Sequence, residues 1–478
     1  MASWWLTTAL FALSRCVAAQ QERISPQNNT FNSSFSLSPS QISSANLNNV
    51  TANNVNIAIR FERTNWATGS VLTDPFYAPP LNASSAPSGS ILKVEDYTDT
   101  TLYTLPPNVA LSRIVYQSST YRLDHANTPV PASAFILWPW HPRIDPATGK
   151  YAVVAWAHGT SGIFGECAPS HIRNLWYQYS APFILALQGY VVVAPDYTGL
   201  GVDRWPNGTR IQHPAFNNPA HANDLFYAVE AAQMAYPDEL SERFVVFGHS
   251  QGGGAAWGAA QRQARQPVEG YLGTIAASPV TDIPLQYRIT PDVGWPIDLV
   301  PGLAATIPDF DTSDILTPEG ARRYDLLAEI GGCASAYLQL YYQGELVKPG
   351  WATTPAMQEF QNLTGNGQRP ISGPMLVLQG TGDVVISTNL TTHFVDETCA
   401  LYPDSEIEYA AFEGADHVPT LFASQRIWLD WIAERFEGKS VKKGCGTKET
   451  YRPARRVGAY QKELGYYLEF ATQSYEVA

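Results

Sequence analysis

Phe244-Val-Val-Phe-Gly248-His249-Ser250-Gln251-Gly252-Gly253-Gly254-Ala-Ala is the stretch on which the reading of this chain turns. A short apolar run, the length of a buried strand, ends in G-x-S-x-G and passes at once into small residues. A serine in such a strand-to-helix turn has strained backbone angles, so its neighbours must lack side chains that would collide. The helix beginning at Gln251 would aim free N–H groups and the positive end of its dipole at charge developing near Ser250. The motif alone is common by chance. Strand, motif and small-residue helix together mark Ser250 as a nucleophile; the competing reading is a Gly-rich helix start used only for packing.

A hydroxyl needs a base to attack. Among nine His, His417 in Glu413-Gly-Ala-Asp-His417 lies just past an apolar run at 407–412 and just before a last amphipathic helix. The order nucleophile, acid, base then asks for a carboxylate after the preceding strand. Residues 375–378 lead into Gln379-Gly-Thr-Gly-Asp383, which puts Asp383 there to hold the imidazole tautomer and stabilise its cation. Asp416 is the rival acid, but it follows the wrong strand and neighbouring side chains point apart. His158-Gly-Thr-Ser-Gly162 follows another strand, and its small residues let backbone approach a substrate. The N–H groups of Gln251 and Thr160 are the expected oxyanion donors, with Gly159 as the alternative to Thr160. His249 reads as a packed elbow residue, His158 as an organiser of its loop, and Asp196-Tyr-Thr-Gly-Leu-Gly201 as a structural turn. No HExxH or paired CxxC occurs, so neither metal nor cofactor is expected.

Around these points strands and helices alternate. Tyr151-Ala-Val-Val-Ala-Trp-Ala157, Tyr190-Val-Val-Val-Ala194 and the run before Gly248 are continuous apolar strands, polar only at their carboxyl ends. That texture belongs to a parallel sheet covered on both faces. Leu225, Phe226, Val229 and Ala232 repeat at helical spacing between two of them. The expected fold is therefore α/β, a mostly parallel doubly wound sheet with ligands beyond the carboxyl ends of its strands. Residues 283–371 are too long for a simple crossover and read as an inserted, mainly helical cap. The sheet core takes 91–282 and 372–438, and residues 439–478 form a tail.

Before the core, residues 20–90 are rich in Ser, Asn, Ala and Pro. They read as a processed or loosely ordered lead-in, part of which packs on the body. Residues 1–19 read as a signal peptide, with an apolar stretch from Trp4 to Leu13 and small residues before Gln20, although the basic start is missing. A membrane anchor is the rival, but the stretch is shorter than a span needs. Of five Cys, Cys16 leaves with the signal; the even set Cys167, Cys333, Cys399 and Cys445 implies two disulfides. Chain order favours Cys167–Cys333 and Cys399–Cys445 among three possible pairings. Sequons at Asn28, Asn32, Asn49, Asn82, Asn207, Asn362 and Asn389 agree with a secreted, extracellular protein.

The chain has 478 residues, 45% hydrophobic and 15% charged, with a formal net charge of −13. That balance, with no basic cluster beyond short runs near Lys442 and Arg455, argues against nucleic-acid binding. No run after the signal could span a bilayer, so stable membrane insertion is not expected.

The segments Ala157-His-Gly-Thr-Ser-Gly162, Cys167-Ala-Pro-Ser170, Gly189 to Gly201, Gly248 to Gly252 and Gly380-Thr-Gly-Asp383 resemble the fungal secretory lipases of the α/β-hydrolase superfamily. The resemblance covers roughly 110–440, and Cys-Ala-Pro-Ser is its most specific part. It implies a Ser250–Asp383–His417 triad, a capped acyl-binding tunnel and a disulfide through Cys167. The expected substrate is a small-molecule carboxylic ester or acylglycerol, met in solution or at a lipid interface. Acyl transfer to an alcohol, peptide cleavage, and an inert secreted binding protein on the same fold are the rival expectations.

Overall fold

The structure is a computed structural model that describes residues 34–125, 127–290, 295–341, 344–441 and 444–461. The signal-peptide segment 1–19, the sequons at Asn28 and Asn32, and the end of the tail lie outside the described residues.

Among the described residues ten strands form one sheet in the order β1-β2-β3-β5-β4-β6-β7-β8-β9-β10. They are β1 Ile91–Glu95, β2 Val109–Ser119, β3 Pro129–Pro139, β4 Tyr151–Ala157, β5 Val191–Pro195, β6 Leu240–His249, β7 Tyr271–Ala277, β8 Met375–Gly380, β9 Ile407–Phe412 and β10 Cys445–Tyr451. The pairs β1/β2, β2/β3 and β3/β5 are antiparallel; every pairing from β5 onward is parallel. The α/β expectation holds, with an antiparallel edge.

Alternation along the strands explains the two covered faces. Val153, Ala155 and Ala157 of β4 pack with Phe244 and Val246 of β6 under the helices Asn218–Ala235 and Gln251–Arg265. Ala152, Val154 and Trp156 point the other way, with Val245 and Phe247, towards Phe183, Trp428 and Ile432. The last helix, Gln425–Phe436, follows Ser424 and presents fully buried Trp428, whose indole N–H donates to the Leu421 carbonyl at 3.0 Å. Losing that ring would cost roughly 3–5 kcal/mol.

Because β4 pairs with β5 on one side and β6 on the other, the chain reverses its direction of winding there. Such a switch point leaves a crevice at the carboxyl ends of β4 and β6. Gly159 and Ser250 follow those two ends.

Between β7 and β8 the described residues include five α-helices, Ile283–Ile289, Trp295–Thr306, Pro318–Ile330, Ala334–Tyr341 and Pro355–Thr364. Their apolar residues form a core of their own, and Val55, Ala58 and Ile59 belong to it. These come from the helix Asn49–Thr64, capped by the Asn48 side chain on the Thr51 N–H. The Ser/Asn-rich segment is thus well built from residue 34 onward. Its buried positions, Thr51, Ala52, Val55, Ala58, Ile59 and Glu62, follow helical spacing, a signal the polar composition masked.

Two disulfides, Cys167–Cys333 and Cys399–Cys445, staple the 283–371 segment and β10 to the body. The tail segment beyond residue 438 also supplies an edge strand, since β10 pairs with β9. Asn49, Asn82, Asn207, Asn362 and Asn389 are all exposed. No helix among the described residues is long and apolar enough to cross a membrane.

Glu62 joins the two sequence-distant parts of the helical layer. Its carboxylate accepts from the N–H groups of Cys333 and Ala336, each at 2.9 Å, at the start of the helix Ala334–Tyr341. Burial pushes its pKa from an ordinary 4.5 up to about 7, with those N–H groups pulling the other way. A folded pKa above the unfolded one gives stability that is full below pH 4.5 and is lost as pH rises through about 7. We therefore expect the thermal midpoint to fall across that window in the wild type. In Glu62→Gln the slope should flatten, as followed by circular dichroism at a series of pH values.

Candidate active site

The elbow is built by close approach. A Cβ added to Gly252 would stand 2.0 Å from the Ala157 carbonyl oxygen, and one on Gly248 would stand 2.0 Å from the Gly252 oxygen. Glycine at both places lets the helix Gln251–Arg265 settle directly onto the ends of β4 and β6. Ser250 is the residue before that helix, at φ 61° and ψ −121°, a conformation side chains rarely adopt.

Asp383 and His417, 34 residues apart, meet beyond β8 and β9. The His417 Nδ1–H donates to Asp383 Oδ2 at 2.8 Å, and the carboxylate is fully buried. Asp383 Oδ1 takes the N–H groups of Val385 and Ile386, at 2.9 and 2.8 Å, and Gln379 Nε2 donates to Oδ2 at 3.1 Å. Burial works to raise the Asp383 pKa, but the imidazole and these donors outweigh it and hold the group below its ordinary value. The rival carboxylate is used elsewhere: Asp416 Oδ1 accepts from the backbone N–H groups of His417 and Val384. Asp383, and not Asp416, is therefore the carboxylate hydrogen-bonded to the His417 ring.

The His417 ring lies against His249, the residue before Ser250, with ring centroids 4.5 Å apart. No hydrogen bond joins Ser250 Oγ to the imidazole among the described residues. In free enzymes this contact is often long and tightens when substrate binds.

On the other side of Ser250, the Thr160 hydroxyl donates to Gln251 Oε1 at 2.9 Å, and the Gln251 amide lies 3.1 Å from His221 Nε2. The two residues expected to supply oxyanion donors are thus tied to one another. Gly159, the alternative, lies close against Tyr177, whose hydroxyl would stand 2.1 Å from a Cβ added there. Among the described residues no group of three His, Cys, Asp or Glu is placed to hold a metal ion.

His158 and Asp196 organise the loops beneath. The Tyr197 ring stacks on His158 at 4.3 Å, and its hydroxyl donates to the His158 carbonyl at 2.9 Å. Burial brings the His158 pKa down to about 4, so the ring is neutral. Asp196 is buried, and burial lifts its pKa to about 6 against the pull of Ser133 and Ser170. The Ser170 N–H donates to Asp196 at 2.7 Å and the Ser133 hydroxyl at 2.6 Å. Cys-Ala-Pro-Ser and the Asp196 turn are therefore two halves of one buried polar contact.

The sequence profile of the Hydrolase_4 family, described as serine aminopeptidase, S33, matches residues 175–418, just over half of the chain. This chain belongs to that α/β-hydrolase family. Among solved structures of the fold, Candida antarctica lipase A in its closed state matches with a TM-score of 0.66 at 17% identity, over 86% of this chain and 98% of that one. A ligand-bound form of the rice cell wall degrading esterase LipA from Xanthomonas oryzae matches with a TM-score of 0.52 at 14% identity, over 73% and 98%. At these identities the likeness is one of fold. No curated protein matches the sequence.

One group in this α/β-hydrolase escaped the sequence reading, because nothing in its spacing announces it. Tyr177 lies on the loop after β4, and its hydroxyl is 2.7 Å from His249 Nδ1. His249 Nε2 is 3.2 Å from the His417 carbonyl, which can only accept, so Nε2 carries the proton and Tyr177 donates to Nδ1. Burial, helped by His417, keeps His249 well below the ordinary histidine pKa and hence neutral. The pair reaches the backbone of His417 through the His249 Nε2–H. We expect Tyr177→Phe to lower kcat by about 10-fold to about 100-fold with KM little changed. His249→Gln, which keeps an amide donor near the Nε2 position, should recover most of the loss seen in His249→Ala under steady-state kinetics.

Proposed function

We propose that this chain is a secreted serine hydrolase that cleaves carboxylic esters, acylglycerols among them, through an acyl-Ser250 intermediate. The observation that carries the reading is the buried Asp383–His417 pair at 2.8 Å, set beside a serine at positive φ. In the mechanism, Ser250 Oγ attacks the ester carbonyl while His417 Nε2 takes its proton. Asp383 keeps the other ring nitrogen protonated and stabilises the imidazolium. The N–H groups of Gln251 and Thr160 receive the oxyanion. Collapse expels the alcohol, which leaves with the proton from His417. Water, activated by the same base, then releases the acid and restores Ser250.

Secretion is supported by the two disulfides and by the five exposed sequons. The family description favours peptide cleavage as a second reading. An aminopeptidase must meet the substrate ammonium with a free carboxylate, whereas Asp416, the carboxylate next to the base, is bound to backbone N–H groups.

A fluorophosphonate probe should label the wild type at Ser250, and Ser250→Ala should abolish labelling and lower ester turnover by about 10⁴-fold or more. p-Nitrophenyl esters from acetate to palmitate, run beside amino-acid p-nitroanilides, separate the readings. Turnover of the anilides alone would favour the peptidase; absence of labelling would leave an inert binder.

A further inference from the structure

His221 is a fully buried histidine that the chemistry of Ser250, Asp383 and His417 leaves unused. It stands near the start of the helix Asn218–Ala235, which lies against the glycines of the helix Gln251–Arg265. A Cβ on Gly254 would stand 2.7 Å from Asn218 Oδ1, and one on Gly258 would stand 2.9 Å from the Asn218 carbonyl oxygen. That close approach brings the His221 ring to the Gln251 side chain.

Four groups then form one polarised chain. Asp224, three residues on from His221, is fixed by the Thr198 N–H and hydroxyl and by the Ser118 hydroxyl. Its Oδ2 lies 3.7 Å from His221 Nδ1, too far for a hydrogen bond yet near enough for its charge to favour the proton on that nitrogen. The Nε2 lone pair is left facing Gln251, whose amide N–H donates to it at 3.1 Å. The amide oxygen is thereby turned to the Thr160 hydroxyl, which donates to it at 2.9 Å. Tyr197 and His213 hold the plane of the His221 ring, with centroids 4.3 and 5.4 Å away.

The far end of this chain is the pair of residues assigned to the oxyanion. Thr160 follows β4 and Gln251 follows β6, so their N–H groups converge on one point only if the two strand ends keep a fixed relation. Among the described residues neither N–H makes a hydrogen bond, which leaves both open to a substrate oxygen. Thr160 is partly exposed, whereas Gln251 and His221 are buried, so order passes outward from the core. We propose that His221, with Asp224 behind it, is a positioning residue for the oxyanion donors. It fixes the Gln251 amide and, through that amide, the Thr160 segment. The inference rests on the reading of Ser250 as an ester-cleaving nucleophile.

His221→Leu stays close in volume but offers no acceptor. Its kcat for p-nitrophenyl butyrate should fall by about 10-fold to about 100-fold, with KM within about twofold of wild type. His221→Gln, whose amide oxygen takes the place of Nε2, should return to within about fivefold of wild type. An alkyl trifluoromethyl ketone adds Ser250 Oγ at its carbonyl, the proton passing to His417, and leaves a tetrahedral oxyanion. Its Ki should rise across the variants in step with the loss of kcat/KM. Gln251→Met keeps the backbone N–H and drops the amide, so it should show the same fall, and it carries the test if His221→Leu does not fold. The double variant His221→Leu/Gln251→Met should lose no more than about twofold beyond the worse single one. A kcat within about twofold of wild type in Gln251→Met, a fall without a matching rise in Ki, or losses that multiply in the double variant overturn the proposal and leave the Ser250 reading intact. A wild type that neither cleaves the ester nor binds the ketone removes the Ser250 reading and this inference with it.

Discussion

The contact between Gly252 and the Ala157 carbonyl sets the rest of the site. With a side chain there, the helix Gln251–Arg265 would have to lift away from β4, since a Cβ would come within 2.0 Å of that oxygen. Lifting the helix would withdraw the Gln251 N–H from the crevice and relax the turn at Ser250. Holding a non-glycine residue at φ 61° costs roughly 1–3 kcal/mol, which only a rigid surrounding can sustain. That surrounding is the layer of Ala255, Ala256 and Trp257, all fully buried. The strained serine and the close glycine contacts behind it are thus two sides of one constraint.

Buried polar contacts fix the loops that meet at this point. Asp196 draws Ser133 of β3 and Ser170 of the loop after β4 together. Asp224, in the helix Asn218–Ala235, accepts from the Thr198 N–H at 3.0 Å and from its hydroxyl at 2.8 Å. The rings of His158, Tyr197 and His221 stack between these anchors. With Asp196, Thr198 and Asp224 partnered in this way, such a network favours one arrangement of the loops over many. The disulfide Cys167–Cys333 carries that order outward to the helical layer.

Much of this was legible in the sequence, and the reasons are local. Continuous apolar runs at β4, β5 and β6 declare a parallel sheet because both faces must be covered, and two of the expected strands, 151–157 and 407–412, coincide with β4 and β9. Ser250, Asp383 and His417 could be named because each follows a strand whose apolar run is unmistakable. Tyr177 could not. Its loop has no periodicity, and its role depends on a histidine 72 residues away. The helix Asn49–Thr64 was hidden for another reason: its buried face includes Thr51 and Glu62, so the apolar stripe is thin and only tertiary contact completes it. A cavity of about 1100 Å³ beside the His417 loop was hidden likewise, since five separated segments line it.

Where those segments fall along the chain carries a further meaning. The family profile spans residues 175–418, and Ser250, Asp383 and His417 all lie inside it. Much of the cavity wall does not: Phe61, Trp66 and Glu166 precede the profile, and Phe422, Arg426 and Tyr451 follow it. The three side chains Ser250, Asp383 and His417 are therefore held in the part shared with the family, whereas Thr160 precedes it. The wall of that cavity comes about equally from this part and from the segments that flank it. A fold can change what it binds without disturbing its reactive groups only if the two are carried by different stretches of chain. Here the separation is physical as well as sequential, with Tyr177 and the base loop forming the boundary between them.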